Sequence, residues 1–330
     1  MVTIKTPFEN INNQNKIIIK YFLENNFRMD FPLVKKLYYS VFRPILPLPI
    51  RKILQKKYNE QVKCNGSFIN HELVDIITTN TENKAILSNL YPDQSQTAVV
   101  LTHDVETQAG YENIPKIIEL EKSLGLKSSW NIVPYKYTLH QEIIDLIHES
   151  EDELGIHGYN HDGKLYYSEK IFNERLPYIN EAIKKYNCVG FRSPSVHRNI
   201  EWLQKLNIKY DASFFDYDPY QPFPGGTGSI WPYIAGKFVE LPYTLPQDHT
   251  IFYVLQQKDI SIWKNKIDWL IKNNGMILII THPDYLIEEQ NFNLYRQLLE
   301  YLKNIPQAWH CLPDEMSDWW KNLVLNHNSI

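Results

Sequence analysis

From Ala98 onward the sequence settles into one rhythm, in which short runs rich in β-branched and aromatic residues alternate with longer amphipathic segments. That alternation is the mark of βα units, and strands joined through helices lie parallel in one sheet with helices over its faces. Strands are predicted at 98–102, 127–133, 153–157, 188–191, 208–214, 238–241, 276–281 and 309–312. Helices are predicted at 113–123, 139–150, 169–186, 201–206, 260–273 and 294–303. Thr138 with Gln141 forms a capping box for the second helix, and Asn274-Gly275 is a stop before the strand that follows. Seven or eight such units predict an α/β fold, a closed or nearly closed (β/α)7–8 barrel.

The chain has 330 residues, whereas such a barrel commonly fills about 250. The surplus lies at the start, where patterning is irregular and helix-like pieces occur at 16–25 and 72–90. The expected organisation is a mostly helical N-terminal extension over 1–95, the barrel over 96–322 and a tail over 323–330. The stretch 216–237, rich in Pro, Gly and aromatics, reads as a long loop between two strands, and long loops in compact domains are often functional.

Several classes are disfavoured by bulk properties. A formal net charge of −4 argues against a nucleic-acid binder, which would carry a basic face. Cys64, Cys188 and Cys311 are odd in number and widely spaced, so a disulfide framework is not expected and a reducing compartment suits the chain. The first twenty residues lack the apolar core of a signal peptide, and apolar runs of about five residues fall far short of a membrane span. A cytoplasmic protein is expected. The segment 35–57 carries seven Lys or Arg and no acid, interleaved with Tyr, Phe, Leu and Ile. Such composition suits an anionic membrane surface, although Pro44, Pro47 and Pro49 interrupt any long helix. Peripheral membrane contact through 35–57 is an expectation on that ground.

Chemistry-bearing residues fall where the strands end. Asp104 and Glu106 follow the first strand, His157 closes the third with His161 just beyond, Arg192 follows the fourth, and His282 follows the run MILIIT. In a parallel barrel the C-terminal strand ends converge on one face, where active sites of such barrels lie. His157 and His161, in GIHGYNHDG, have the spacing at which one short turn presents two imidazoles to one ion. Residues i and i+2 of a strand share a side, so Asp104 and Glu106 both face the mouth while His103 points away. Taken singly, each of these residues is as easily a surface or hydrogen-bonding group; their shared placement carries the reading.

At these residues the chain resembles the polysaccharide deacetylases, the NodB-like carbohydrate esterase family 4, across roughly residues 97–320. The matching motifs arrive in family order: THDVE, HGYNH, Arg192-Ser193-Pro194 and the final LIITH. The resemblance implies a NodB-like, distorted TIM-type barrel. It implies His157 and His161 as metal ligands, Asp104 as general base, His282 as general acid and Arg192 as the partner that orients Asp104. Two departures stand out. The second Asp of the family's acidic motif is Val105 here, so Glu106 is the substitute third ligand, similar to an Asp-Val-Asp variant of the family. The aromatic expected two residues after the motif proline is Val196. The acid that tunes the catalytic histidine has two candidates, Asp211 and Asp216, and Ser195, Asp211 and Trp231 are the candidate substrate-binding residues.

The expected function is therefore metal-dependent removal of N-acetyl groups from a sugar or glycan precursor in surface-glycan biosynthesis, with Zn2+ (or Co2+ or Ni2+) as cofactor. An oxyanion donor is expected among the backbone N–H groups near 193–195. Two alternatives stay open: a metal-independent hydrolase of cyclic amides on the same barrel, and a non-catalytic glycan-binding protein, which would predict broken catalytic residues.

Overall fold

The structure, a computed structural model, describes residues 2–8, 46, 47, 50, 68–221 and 226–327. The predicted helix at 16–25, Cys64 and nearly all of the basic segment 35–57 lie outside the described residues. At its centre is β2 (Thr97–Val105), buried at every position because its neighbours cover both faces and both edges. Such a strand must read as a continuous apolar run, and TAVVL does. On one edge β2 pairs with β9 (Met276–Thr281), from Ala98 against Met276 to His103 against Thr281. On the other edge it pairs with β3 (Ser128–Ile132), and the sheet continues through β4 (Glu153–Ile156), β5 (Gly190–Phe191), β6 (Tyr210–Asp211) and β8 (Phe238–Glu240), all parallel. The short β10 (Ala308–His310) pairs parallel with the start of β2.

The barrel closes without a strand pairing between β8 and β9. The chain just past β8 does the stitching. Thr244 and Leu245 donate their N–H groups to the Leu278 carbonyl at 3.0 and 3.1 Å, and the Thr244 hydroxyl reaches the Met276 carbonyl at 2.7 Å. The result is a curled, distorted (β/α) barrel of the expected type.

Helices cover the outside. In α2 (Ile114–Ser123) the buried positions Ile114, Ile117, Ile118 and Glu121 recur at helical spacing; each isoleucine so buried contributes about 1.5–3 kcal/mol. Behind it stand α3 (Gln141–Glu149), α4 (Glu169–Lys185), α5 (Ser261–Lys272), α6 (Glu289–Lys303) and α7 (Pro313–His327). The stop at Asn274 is real: with φ of 51° it sends the Gly275 N–H back to the Leu270 carbonyl at 2.8 Å. The capping box is not, since His140 is the N-cap of α3 and the Thr138 N–H bonds to Gln108 Oε1 instead.

Other departures from the sequence reading have local causes. The boundary drawn at 322 falls inside α7, whose buried stripe of Met316, Trp320 and Val324 is too narrow to stand out from the chain end. Within the predicted loop 216–237 lies β7 (Tyr233–Ala235), antiparallel to β8 and too short to show a period. It also pairs with β1 (Ile4–Lys5), so the N-terminus adds an edge strand to the sheet. The described parts of the extension pack on the barrel: Phe8 meets Trp231 edge-on at 5.0 Å, and Leu73, Val74 and Ile77 of α1 (Glu72–Thr79) join the same buried cluster. Buried Lys266 pins three segments together by bonding the Asp216 carboxylate at 2.5 Å and the Phe68 carbonyl. Cys188 and Cys311 are free, buried thiols pushed upward in pKa by burial. Among the described residues no helix is long and apolar enough to cross a membrane.

Candidate active site

Asp104 sits beside Asn131 of β3, in register across the sheet, and accepts its side-chain N–H at 3.1 Å. Arg192, fully buried, donates to the same Asp104 oxygen at 3.0 Å, to Thr102 Oγ1 at 2.8 Å and to the Ala212 carbonyl at 2.8 Å. Burial alone would push the Asp104 carboxyl up. Arg192, with His157 and His282 nearby, wins and holds it below its ordinary value, so Asp104 is a carboxylate at neutral pH.

His157 ends β4 and turns Nδ1 to the Arg192 carbonyl at 3.1 Å. A carbonyl oxygen can only accept, so Nδ1 carries the proton and Nε2 presents a lone pair. That Nε2 is buried and has no hydrogen-bond partner among the described residues. It lies 4.0 Å from Glu106 Oε1, which is also 2.8 Å from His161 Nε2. Glu106, His157 and His161 place their three ligand atoms within 4.8 Å of one another. Burial pushes His157 down to about 4, hence to the neutral form a ligand needs. Glu106, despite burial, is held well below the usual carboxylate range by His161, His282 and His157. This N2O donor set, with the orphaned ring nitrogen of His157 aimed into it, fits a divalent cation.

His282 faces this set, with Nε2 3.8 Å from Glu106 Oε1. Its Nδ1 meets Asp248 Oδ1 at 2.7 Å, and its backbone N–H meets Asp248 Oδ2 at 2.6 Å. Burial disfavours charge on His282, but the Asp248 carboxylate, helped by Glu106 and Asp104, raises it to about 10. The ring is thus an imidazolium with its Nε2–H toward the mouth. The sequence reading missed Asp248, proposing Asp211 or Asp216. Its signal was there, since the run LPQDH follows β8 as the other functional acids and histidines follow their strands.

The structure corrects other assignments. Asp211 is fully buried, bonding Ser213 Oγ at 2.7 Å beside Glu240, and Asp216 is spent on Lys266. Trp231 is fully buried too, packed on Phe8 with its indole N–H on the Asn274 carbonyl at 2.8 Å. Neither Asp211 nor Trp231 reaches a substrate. Asp211 falls near the end of a predicted strand and Trp231 in the predicted loop 216–237, and burial at either place is not visible in sequence. Ser195 is exposed, in left-handed backbone with φ of 55°. The Ser193 N–H is taken by Ser213 Oγ at 2.8 Å and Pro194 has none, which narrows the expected oxyanion donor to Ser195. His103 faces away as expected, held between Thr281 Oγ1 at 2.7 Å and Glu121 at 2.9 Å.

If Asp248 sets the charge on His282, Asp248→Asn should move the alkaline limb of kcat down by about 1–3 pH units. The sign follows from the raised pKa: the proton is held up to about pH 10 with the carboxylate and lost earlier without it. A pH–rate profile of the variant checks this, and an unmoved alkaline limb would separate Asp248 from the acid.

In fold the chain is a NodB-like polysaccharide deacetylase barrel. It is similar to a protein of Mycobacterium smegmatis assigned as a polysaccharide deacetylase (TM-score 0.58, 16% identity, covering 70% of this chain and 92% of that one). PuuE allantoinase is similar as well (TM-score 0.56, 16% identity, 70% and 92% covered), as is a protein of Pseudomonas aeruginosa PAO1 assigned to the polysaccharide deacetylases (TM-score 0.56, 14% identity, 70% and 93% covered). In sequence the chain is 23% identical over 231 residues to the peptidoglycan deacetylase of Helicobacter pylori, covering 59% of this chain and 78% of that protein. No family model matches. Sequence and fold point the same way: the barrel is of the NodB type, and the chain is similar to polysaccharide deacetylases.

Proposed function

We propose that this protein is a metal-dependent hydrolase that removes N-acetyl groups from a sugar or glycan precursor. The observation that carries the reading is the bare, buried Nε2 of His157, converging with His161 and Glu106 on one point between Asp104 and His282. The deacetylases among its relatives support the reaction class.

Glu106, His157 and His161 would hold the ion, which when bound supplies Lewis acidity toward an amide carbonyl and toward water. Asp104, kept ionised by Arg192, takes a proton from the attacking water as general base. His282 then gives its Nε2 proton to the departing sugar amine, which leaves poorly as an anion. Asp248 fixes the tautomer and holds the positive charge until that moment. The proposal extends to zinc as the ion, on the strength of the N2O set, and to a nucleotide- or lipid-linked sugar as substrate, handled in the cytoplasm or at the membrane face.

Acetate release from UDP-linked and lipid-linked N-acetyl sugars, measured with and without chelator, tests the reading. Release that stops on chelation and returns with Zn2+ or Co2+ is expected. Likeness to an allantoinase favours, as a second reading, hydrolysis of a cyclic amide without metal. That reading predicts ring opening unaffected by chelator and no acetate.

A further inference from the structure

We infer that Asp284 is a positioning residue that aims Glu106 at the ion by clasping the backbone on which Glu106 is mounted; the inference rests on the metal-hydrolase reading above. Asp284 stands two residues past His282, on the loop that leaves β9. Its Oδ2 accepts the Glu106 backbone N–H at 3.1 Å, and its Oδ1 accepts the hydroxyl of Thr107. Thr107 in turn caps the turn that follows, accepting the Gly110 N–H at 3.2 Å. A second stitch joins the same two loops, from the Asn113 side chain to the Pro283 carbonyl at 3.0 Å.

Gly110 shows how closely this clasp is built. A Cβ there would stand 2.4 to 2.7 Å from the three carboxylate atoms of Asp284, nearer than packed atoms come. A Cβ at this position would therefore displace the Asp284 carboxylate from the place where it meets both partners.

Glu106 needs such a clasp because of its length and its setting. A glutamate has one more rotatable bond than an aspartate, so holding it in one pose costs more conformational entropy. Its side chain is 26% exposed, whereas the side chain of Asp104 is 5% exposed and walled by Arg192 and Asn131. With less packing around the carboxylate, the aim must come from the backbone at its root, and Asp284 supplies that. The arrangement also ties the loop of the third ligand to the loop of the proton donor.

Groups that orient a ligand from behind commonly account for about 10–100-fold in metal affinity. Cobalt binding to the full chain, followed by competition with a chromophoric chelator and by the visible Co2+ spectrum, provides the test. Asp284→Ala should weaken binding by about that factor and alter the spectrum, and Asp284→Asn, which keeps an oxygen for the Glu106 N–H, should restore most of it. In a Glu106→Ala background the same Asp284→Ala change should weaken binding no further, because the residue through which it acts is gone. Gly110→Ala, which pushes the carboxylate off its seat, is an independent perturbation with the same expectation should Asp284→Ala not fold. An equal loss in both backgrounds, or undiminished affinity in folded variants, would overturn the role of Asp284 alone. An unsubstituted chain that binds no cobalt would overturn the ligand reading and this inference with it.

Discussion

His157→Ala should lose both the bound ion and acetate release, falling to the background of the assay, while the barrel stays folded. The reason is local. Whereas His161 Nε2 already lies 2.8 Å from Glu106, His157 contributes a buried ring nitrogen with no hydrogen-bond partner among the described residues, 3.9 Å or more from the nearest carboxylates. Its other nitrogen is fixed by the Arg192 carbonyl, so no alternative tautomer offers a compensating ligand. Three donors leave a tetrahedral ion one open position; two donors hold it far more weakly. Metal content of the purified variant, read beside its circular dichroism, checks the expectation. A folded His157→Ala chain with full metal content and full turnover would sink the metal assignment.

The second large effect is expected at Asp104. Asp104→Asn keeps the size of the side chain and much of its bonding to Arg192 and Asn131, yet it cannot take a proton. Loss of a general base typically costs about 10²–10⁴ in kcat. Metal affinity should change little by comparison, since the ligand set does not include Asp104 in this reading. The opposite pattern, weak metal binding with kcat preserved when the ion is saturating, would make Asp104 a ligand and leave the base unassigned. Because its carboxyl is held below its ordinary value, the base should stay competent well into the acid range.

Much of this architecture is legible in the sequence because two strong periodicities write it there. The apolar run at β9 is found to the residue, Met276–Thr281, since a strand covered on both faces has no polar position to blur its ends. The five residues that converge at the mouth are legible for a related reason. Each sits at or shortly past the C-terminal end of a strand, and parallel topology turns that sequence position into a spatial one. What escapes is what depends on distance between strands of different length. Asp211 ends a two-residue strand whose side chains are sealed by Ser213 and Glu240, and nothing in its neighbours signals that seal. Asp248 escapes for the opposite reason. It belongs to no strand and lies in the stretch just past β8 that has no period to read, and its pairing with His282 spans 34 positions. Asp284 was visible in ITHPDY but had no apparent duty, because its partners are backbone groups and a glycine.

The loop that sews the barrel shut has a further consequence. The stretch that crosses from β8 to Leu278 is the same stretch that, three residues later, delivers Asp248 to His282. Wall and proton donor therefore share one hinge-point. An insertion or cut there would displace Asp248 as well as the closing bonds, and His282 would then lose its proton at lower pH. A chain of this design can report the integrity of its own closure through its pH profile.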